Sequence, residues 1–212
     1  MRKQKIQKYY YNNGNLKNKY YYDENNNFYR KNDKPSVISY YEDGSVESEH
    51  WYVDAKINRS AGPAIISYYK NGNIKNEMYV EENMYHREDG PAIIHYFEDG
   101  SIKQFSWHHY NDYHNENGPA KIAYYNSGNI KLQSWHINGQ LHNENGPAVI
   151  YYYENGQKEV ERWYNHGILH NLNGPAEIYY GENNIILTKL YYIDGKLMDE
   201  LQVEILKASN DE

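Results

Sequence analysis

Cysteine is absent from this 212-residue sequence. That absence excludes disulfide bonds, thiol catalysis and cysteine-based zinc sites, and it fits a reducing compartment. Long apolar runs are also missing, because no stretch approaches the roughly 20 apolar residues that span a bilayer. The N-terminal MRKQKIQKYYYNNG is basic but lacks the apolar segment of a signal peptide. We therefore expect an intracellular protein that is neither secreted nor membrane-spanning.

Clustered positive charge is scarce too. The formal net charge is -7, with 29 Asp and Glu against 22 Lys and Arg. Nucleic-acid binding needs clusters of Lys and Arg facing the phosphates, and adsorption to anionic membranes needs a basic surface. We therefore expect no nucleic-acid partner and no membrane contact. The acidic balance instead favours a partner protein with a basic face.

Tyrosine dominates the aromatic residues, with 27 Tyr against 3 Phe. The mean hydropathy of -1.05 taken alone would indicate disorder. An aromatic content of 16% argues for a folded chain. Tyrosine combines a large apolar ring with a hydroxyl that can stay in water, so it suits a thin fold with little interior.

A Gly-Pro-Ala triplet recurs every 28 residues, and this period organises the chain. A gapless period of that size predicts an array of structural repeats, each packed on its neighbours. Lys34-Pro35-Ser36 is a worn copy of the triplet, so we assign degenerate units to residues 9–61 and regular units to residues 62–195, within an array over 1–195. The intact triplets begin at Gly62, Gly90, Gly118, Gly146 and Gly174.

Two turns in each unit predict antiparallel strands. The first has a residue that tolerates positive φ, which is the requirement of a tight hairpin. It lies at Gly44, Gly72, Gly100, Gly128, Gly156 and Asn184. The second is clear at Asn138-Gly139, His166-Gly167 and Asp194-Gly195, and it decays to other residues in earlier copies.

The strand that follows each triplet alternates between constant and drifting positions. In PAIISYY, Ala64, Ile66 and Tyr68 recur unchanged in the later units, whereas Ile65 becomes Ile, Lys, Val or Glu. A period of two with one constant face predicts a strand whose constant face is the core. Each proline predicts a kink or bulge, because it cannot donate a ladder hydrogen bond. Two or three strands per unit both fit the sequence.

These features together predict an all-β repeat protein: an elongated, twisted, single-layer antiparallel sheet of β-hairpin repeats. Sheet edges need protection. In residues 196–208, Leu197, Leu201 and Ile205 follow one another at a spacing of four with charges between them. That spacing predicts a short amphipathic C-terminal helix that caps the last edge, followed by a tail over 209–212.

The copy HNENGPAVIYYYENGQKEVERWYNHGIL, residues 142–169, resembles the MORN-variant repeat, a relative of the membrane occupation and recognition nexus repeat. The resemblance extends over nearly the whole chain. It implies β-hairpin repeats with a scaffolding or binding role and carries no catalytic residues. It also implies a source among giant DNA viruses, which would place the protein in host cytoplasm or the virion, or among bacterial antitoxin-like proteins.

Histidine columns raise the possibility of a metal, but the repeat geometry argues against one. His86, His114, His142 and His170 recur once per unit, so their spacing of about 10 Å or more is too wide for one ion. The denser group of His108, His109, Asp112 and His114 is a further candidate, and we interpret it as a drifted turn. No phosphate loop or nucleophile motif is present. We predict neither metal nor cofactor, and no enzymatic activity.

The sequence favours a protein-protein interaction module that binds a partner along a Tyr- and Trp-rich acidic surface. A specific version is an inhibitor or antitoxin-like protein, and the alternative is a self-assembling structural or virion-associated protein. The second long strand ends at an aromatic column made of Trp51, Tyr79, Trp107, Trp135, Trp163 and Tyr191. This aromatic column could face a partner or pack within the protein, and both interpretations stay open. The candidate partner-binding residues are Trp51, Tyr79, Trp107, Trp135, Trp163, Tyr110, Tyr125 and Tyr153.

Overall fold

The structure is a computed structural model that describes residues 4–210, with side chains through residue 208. The described chain consists of β-strands and one C-terminal helix, and it divides into two compact units, residues 4–111 and 112–210. No helix in this range is long and apolar enough to cross a membrane.

The strands of the first unit come in a repeating order of two long strands and two short ones. They are β1 (Lys5–Tyr10), β2 (Leu16–Tyr22), β3 (Val37–Tyr40), β4 (Val46–His50), β5 (Tyr52–Val53), β6 (Lys56–Ile57), β7 (Ile65–Tyr68), β8 (Ile74–Met78), β9 (Val80–Glu81), β10 (Met84–Tyr85), β11 (Ile93–Tyr96), β12 (Ile102–Ser106) and β13 (His108–His109).

The second unit continues the same order and ends in the helix. Its elements are β14 (Asp112–Tyr113), β15 (Lys121–Tyr124), β16 (Ile130–Ser134), β17 (His136–Ile137), β18 (Gln140–Leu141), β19 (Val149–Tyr152), β20 (Lys158–Arg162), β21 (Tyr164–Asn165), β22 (Ile168–Leu169), β23 (Glu177–Tyr180), β24 (Ile186–Ile193), β25 (Lys196–Met198) and α1 (Glu200–Asn210).

The long strands form an antiparallel sheet in hairpin order. The order is β1-β2-β3-β4-β7-β8-β11-β12 in the first unit and β15-β16-β19-β20-β23-β24-β25 in the second. The short strands pair only with one another, as in β17 with β18. Each repeat therefore contributes two strands to the sheet and a separate short hairpin. This confirms the predicted all-β hairpin-repeat fold, and it sets at two the number of strands that each repeat contributes to the sheet.

Backbone conformation at the turns follows the sequence in the long hairpins. The column glycines have φ between 84° and 92°, and Asn184 has 61°. The short hairpins keep the same turn in earlier copies, where its sequence has changed to other residues as expected. Asp54-Ala55, Glu82-Asn83 and Tyr110-Asn111 all adopt positive φ without glycine.

Hydrogen bonds between successive short hairpins explain why those turns persist. The second turn residue donates its backbone N–H to a carbonyl one repeat earlier, so each short hairpin rests on the one before it. These bonds run from Asn83 to Ile57, Asn111 to Tyr85, Gly139 to Tyr113, Gly167 to Leu141 and Gly195 to Leu169, at 2.8–3.1 Å. The left-handed strain of a non-glycine turn is offset by this bond.

The constant face is buried at alanine, as predicted, and at Ile150, which is 8% exposed, but the prediction that only this face is packed is wrong. Ala64 and its equivalents are 0% exposed, but the drifting column is also covered, with Val149 6% and Glu177 7% exposed. The short hairpins account for this. Ser134 pairs across from Val149, and its hydroxyl oxygen lies 3.0 Å from Nε2 of His136 on β17. Both faces are therefore packed at this end of the strand.

Tyrosine hydroxyls join neighbouring strands on the constant face. Tyr68 donates to Glu49 at 2.8 Å and Tyr180 donates to Glu161 at 2.5 Å. Burial, followed by the hydrogen bond to Glu49, raises the pKa of Tyr68 above its ordinary value, and the same causes raise the pKa of Tyr180 through Glu161. The phenols therefore stay protonated donors, which explains why Tyr rather than Phe recurs in this column.

Irregular pairing occurs at tyrosine rather than at proline. The register shifts between Ser67 and Tyr68, and the equivalent shift recurs in the other long hairpins. Pro63 and its equivalents precede the strands and lie in the corner loops. The predicted proline bulge is therefore wrong, because the chain places each proline outside the ladder.

The C-terminal helix is present, but its buried face differs from the expected one. Lys196–Met198 is strand β25, and α1 begins at Glu200 after a reciprocal cap: Gln202 N–H donates to Asp199 Oδ1 at 2.8 Å, and Asp199 N–H donates to Gln202 Oε1 at 3.0 Å. Val203 is 4% exposed. Leu197, Leu201 and Ile205 are 62%, 66% and 59% exposed. Residues 211 and 212 of the predicted tail lie outside the described residues.

Replacing Ser36 by alanine should stabilise the protein by about 1 kcal/mol. Ser36 occupies the alanine position of the worn triplet, is 1% exposed, and its hydroxyl has no hydrogen-bond partner. Removing a buried unpaired hydroxyl removes its desolvation cost at nearly constant volume. Urea unfolding of Ser36→Ala measures the gain, and Ala64→Ser should show the opposite change. A loss of stability in Ser36→Ala would contradict this account.

Candidate protein-binding grooves

The corner loops between repeats are closed by one side chain each. In the second unit the amide of Asn143 donates to the carbonyl of Pro147 at 2.9 Å, and Asn171 makes the same bond to Pro175. In the first unit arginine occupies this position: Arg59 donates to the Pro63 carbonyl at 3.1 Å. We call these residues the corner column: Arg30, Arg59, Arg87, Asn115, Asn143 and Asn171.

The aromatic column lies beside the corners because its backbone is bound there. The N–H of Trp163 donates to the carbonyl of Ala176 at 2.8 Å, and Trp135 makes the same bond to Ala148. The long second strand ends one residue earlier, so each aromatic residue links the sheet to the short hairpin. Its side chain is thereby held beneath the corner loop.

Two residues of the aromatic column in the first unit, Trp51 and Tyr79, are each covered by an arginine. Trp51 is 7% exposed, and its indole N–H donates to the Asp33 carbonyl at 3.1 Å. The guanidinium carbon of Arg59 lies 4.1 Å from the centre of the Trp51 ring. Tyr79 is half-buried, and the guanidinium carbon of Arg87 lies 4.0 Å from the centre of its ring. Both residues are therefore parts of the fold in the free protein.

The three remaining tryptophans are half-buried. Trp107 packs edge-on against Phe105, with ring centres 4.9 Å apart. Trp135 and Trp163 each line a groove between two corner loops. These two candidates are thus placed where a partner side chain could reach them.

Tyr110 is the most exposed candidate, with 43% of its surface accessible. Its ring stacks on His86, with centres 4.1 Å apart and planes 5° apart. The backbone there has φ 47°, which is unusual for a bulky residue. The His86 neighbourhood is also acidic, since its Nε2 lies 3.4 Å from Glu88.

Tyr125 and Tyr153 have structural hydrogen bonds. The Tyr125 hydroxyl donates to the carbonyl of Tyr152 at 2.8 Å, and the Tyr153 hydroxyl donates to that of Tyr180 at 2.7 Å. The equivalent residues Tyr11, Tyr41 and Tyr69 make the same bond. This column therefore joins a repeat to the next one where it holds tyrosine, whereas Phe97 occupies the same position without a hydroxyl.

Three grooves lie between successive corner loops, and each contains one residue of the aromatic column. The Tyr79 groove in the first unit has a volume of about 630 Å³. In the second unit the Trp135 groove has about 590 Å³ and the Trp163 groove about 450 Å³. The structure therefore brings Tyr79 and Tyr110 to one groove and places Trp135 and Trp163 in two others.

Exposed carboxylates line these grooves. Glu88 and Asp89 border the Tyr79 groove, with side chains 87% and 85% exposed. Glu116 borders the Trp135 groove and is 82% exposed, while Glu144 borders both grooves of the second unit. Aromatic rings with adjacent carboxylates attract cationic side chains.

Charge is less evenly spread than the totals suggest. Residues 1–34 contain nine Lys and Arg against three Asp and Glu, whereas residues 112–212 contain seven against fourteen. The second unit is therefore the more acidic body, and its two grooves are the better candidates for a basic partner.

The histidine columns are held by neighbouring turns rather than by each other. His170 Nδ1 lies 2.8 Å from a carboxylate oxygen of Asp194, and the His142 ring stacks on His166 at 4.3 Å. Among residues 4–210, no three His, Asp or Glu side chains are placed to hold a metal ion.

Sequence reasoning missed the corner column. Its change from Arg to Asn between the two units resembles ordinary drift in a loop. Both residue types nevertheless donate to the carbonyl of the equivalent proline in their own repeat. A fixed offset of eight residues from the aromatic column, as from Trp51 to Arg59 and from Trp135 to Asn143, was the signal available.

Comparisons with known proteins give no further guidance. Neither the protein-family models nor the curated proteins contain a match to this chain.

Proposed function

We propose that this protein is a non-enzymatic interaction module that binds a basic segment of a partner protein in the grooves between its corner loops. The observation that carries the proposal is a repeated groove with one aromatic residue and exposed carboxylates. The grooves of Trp135 and Trp163 recur at successive corners of the more acidic unit.

The physical case rests on the composition of the grooves. Half-buried indole rings offer large contact areas that lose little conformational freedom on binding. Carboxylates at the groove border attract a basic partner over a distance and orient it. Because the grooves repeat, an extended segment contacts several in succession and gains affinity through multivalency.

The resemblance of the repeat to the MORN-variant unit supports a scaffolding or binding role. An inhibitor or antitoxin-like protein is one version of this function, in which the acidic corner face covers a basic active surface of its target. This version requires only the acidic, tryptophan-containing grooves between the corner loops.

Selection of short random peptides against the immobilised protein tests the proposal. We expect enriched peptides to be rich in Arg and Lys, because the grooves are acidic. Glu116→Gln combined with Glu144→Gln should weaken their binding about three- to tenfold. Both side chains are exposed, so the double variant should fold normally.

A matched control removes the same charge elsewhere in the second unit. Glu154 and Glu182 lie exposed in the turns of the long hairpins, away from the corner loops. Their double change to Gln should leave peptide binding nearly intact. Equal losses of peptide affinity in the two double variants would show that the effect comes from net charge alone. Selected peptides without enrichment in Arg and Lys would overturn the proposal.

A further inference from the structure

The first unit already shows what its aromatic column binds. A guanidinium lies over three rings of the first unit: Arg30 over Tyr21 at 4.0 Å, Arg59 over Trp51 at 4.1 Å and Arg87 over Tyr79 at 4.0 Å. Stacking of a guanidinium on an aromatic face is a favourable cation–π arrangement, strongest on tryptophan.

A carboxylate completes the site of Arg59. The guanidinium donates from Nε to Asp33 Oδ1 at 3.0 Å and from an Nη to Asp33 Oδ2 at 2.8 Å. Asp33 belongs to the preceding corner loop, so two successive corners and one ring enclose the arginine. Planar two-point recognition of this kind is specific to arginine among the cationic side chains.

The second unit has the same surroundings without the guanidinium. Asn143 and Asn171 occupy the corner-column positions beside Trp135 and Trp163, and each keeps the bond to its proline carbonyl. Asparagine is neutral and too short to cover an indole ring. In the described residues, no Lys or Arg lies over either tryptophan.

The preceding corner loop also carries a carboxylate in the second unit, one residue before the positions equivalent to Asp33, which are Asn117 and Asn145. Glu116 borders the Trp135 groove, and Glu144 borders the Trp163 groove, each from the corner loop one repeat earlier. Both grooves thus combine an indole face, a carboxylate and open space of about 590 and 450 Å³. No arginine of the chain occupies either groove, and Glu116 and Glu144 are the carboxylates available to one.

We propose that the Trp135 and Trp163 grooves each bind an arginine side chain of the partner, in the position that Arg59 occupies over Trp51 within the chain. This inference rests on the proposed function and names the chemistry that the grooves select. The partner thereby supplies to the second unit the guanidinium that Arg59 supplies within the first unit.

The repeat also sets the spacing of the two arginines. Each repeat adds two long strands, so neighbouring grooves are separated by about 10 Å. A bound peptide in the polyproline II conformation advances about 3.1 Å per residue and turns once every three residues, so side chains three positions apart lie about 9 Å apart on the same side. Arginines three positions apart therefore reach both grooves, whereas arginines two positions apart do not.

The test uses blocked synthetic peptides and the full chain, with binding followed by tryptophan fluorescence and calorimetry. A peptide with Arg-Ser-Ser-Arg should bind about tenfold more tightly than one with Arg-Ser-Arg. Replacing arginine by lysine should weaken binding several-fold, and replacing it by citrulline, which is planar but neutral, should abolish it.

The decisive variant fills the grooves from within. Asn143→Arg combined with Asn171→Arg installs the arrangement of Arg59 and Arg87, so it should fold normally and lose peptide binding at least tenfold. Asn143→Gln combined with Asn171→Gln is the neutral control and should retain binding. Because both changes occur at positions where the chain already uses arginine, misfolding is not the expected cause of a loss.

The outcomes separate this inference from the proposed function. If selected basic peptides bind but the double arginine variant binds them equally well, the arginine grooves are refuted and the interaction module stands. If citrulline peptides bind as well as arginine peptides, the cation is irrelevant and the inference fails. If no basic peptide binds the wild-type protein, both proposals fall together.

Discussion

Replacing Trp51 by alanine should lower the free energy of unfolding by about 3–5 kcal/mol. Trp51 is 7% exposed, so the substitution opens a large cavity beneath a corner loop. It also leaves the carbonyl of Asp33 without its indole donor and Arg59 without the ring on which it stacks. Urea unfolding followed by circular dichroism measures the loss.

Ile102 provides the control for this prediction. It lies in the same unit, on β12, but 43% of its surface is exposed. Ile102→Ala should therefore cost less than about 1 kcal/mol, because little apolar surface returns to water. A loss below about 1 kcal/mol for Trp51→Ala would show that the corner loop collapses around the vacancy.

The contrast between Trp51 and Trp163 shows where sequence reasoning reached its limit. Both belong to one column, and the sequence could not decide between burial and exposure for that column. In the structure the decision depends on the corner column, since Arg59 covers Trp51 and Asn171 leaves a groove beside Trp163. The offset of eight residues between the two columns is visible in the sequence, but it does not match the period of a strand or a helix, so it gives no sign that the two side chains are in contact.

The sheet itself was predictable because its determinants are local. Glycines such as Gly72 mark positive φ, and two-residue alternation marks a strand, so the long hairpins follow from the chain alone. The short hairpins were only half predicted. Turns such as Asp54-Ala55 have no glycine and depend on support from the neighbouring repeat, which propensity does not report.

The helix was predicted for the right region with the wrong face. Spacing of four made Leu197, Leu201 and Ile205 a candidate buried stripe, but Leu197 lies in β25. The reciprocal cap between Asp199 and Gln202 starts the helix later and turns Val203 toward the sheet. That cap was legible in the sequence, where Asp199 precedes Gln202 by three positions.

The terminal strands raise the question of self-assembly, because each leaves an edge open. Every residue of β1 is exposed, and in the described chain β1 pairs with β2 alone. At the other end β25 pairs only with Tyr191–Ile193 of β24, and residues 186–189 are exposed. Open edges of this kind are templates for strand addition.

Lysine occupies both terminal strands at positions that most internal strands give to other residues. In most internal pairs an isoleucine faces an acidic or amide residue of the preceding strand, as Ile178 faces Glu161, whereas Ile38 faces Lys19. The strand register places Lys8 where β19 has Ile150, and it places Lys189 where β20 has Glu161. Two copies joined in the internal register would oppose Lys8 and Lys189, and directly opposed like charges are destabilising.

Lys8→Ile combined with Lys189→Glu should therefore convert the protein into head-to-tail oligomers, because it recreates the internal pair at the junction. Exchanging repulsion for a favourable pair is worth about 1–2 kcal/mol, or roughly tenfold or more in association. Sedimentation velocity over a range of concentrations would detect the change. The wild-type protein should remain a single species over the same range.

A charge-matched variant distinguishes register-specific pairing from a general loss of lysine. Lys8→Glu combined with Lys189→Glu again opposes like charges, so it should stay unassociated although both lysines are gone. Association of this variant would mean that exposed apolar residues such as Leu187 drive assembly without strand register. Association of the wild-type protein itself would show that the two edge lysines do not block strand addition. That result would favour the self-assembling structural role.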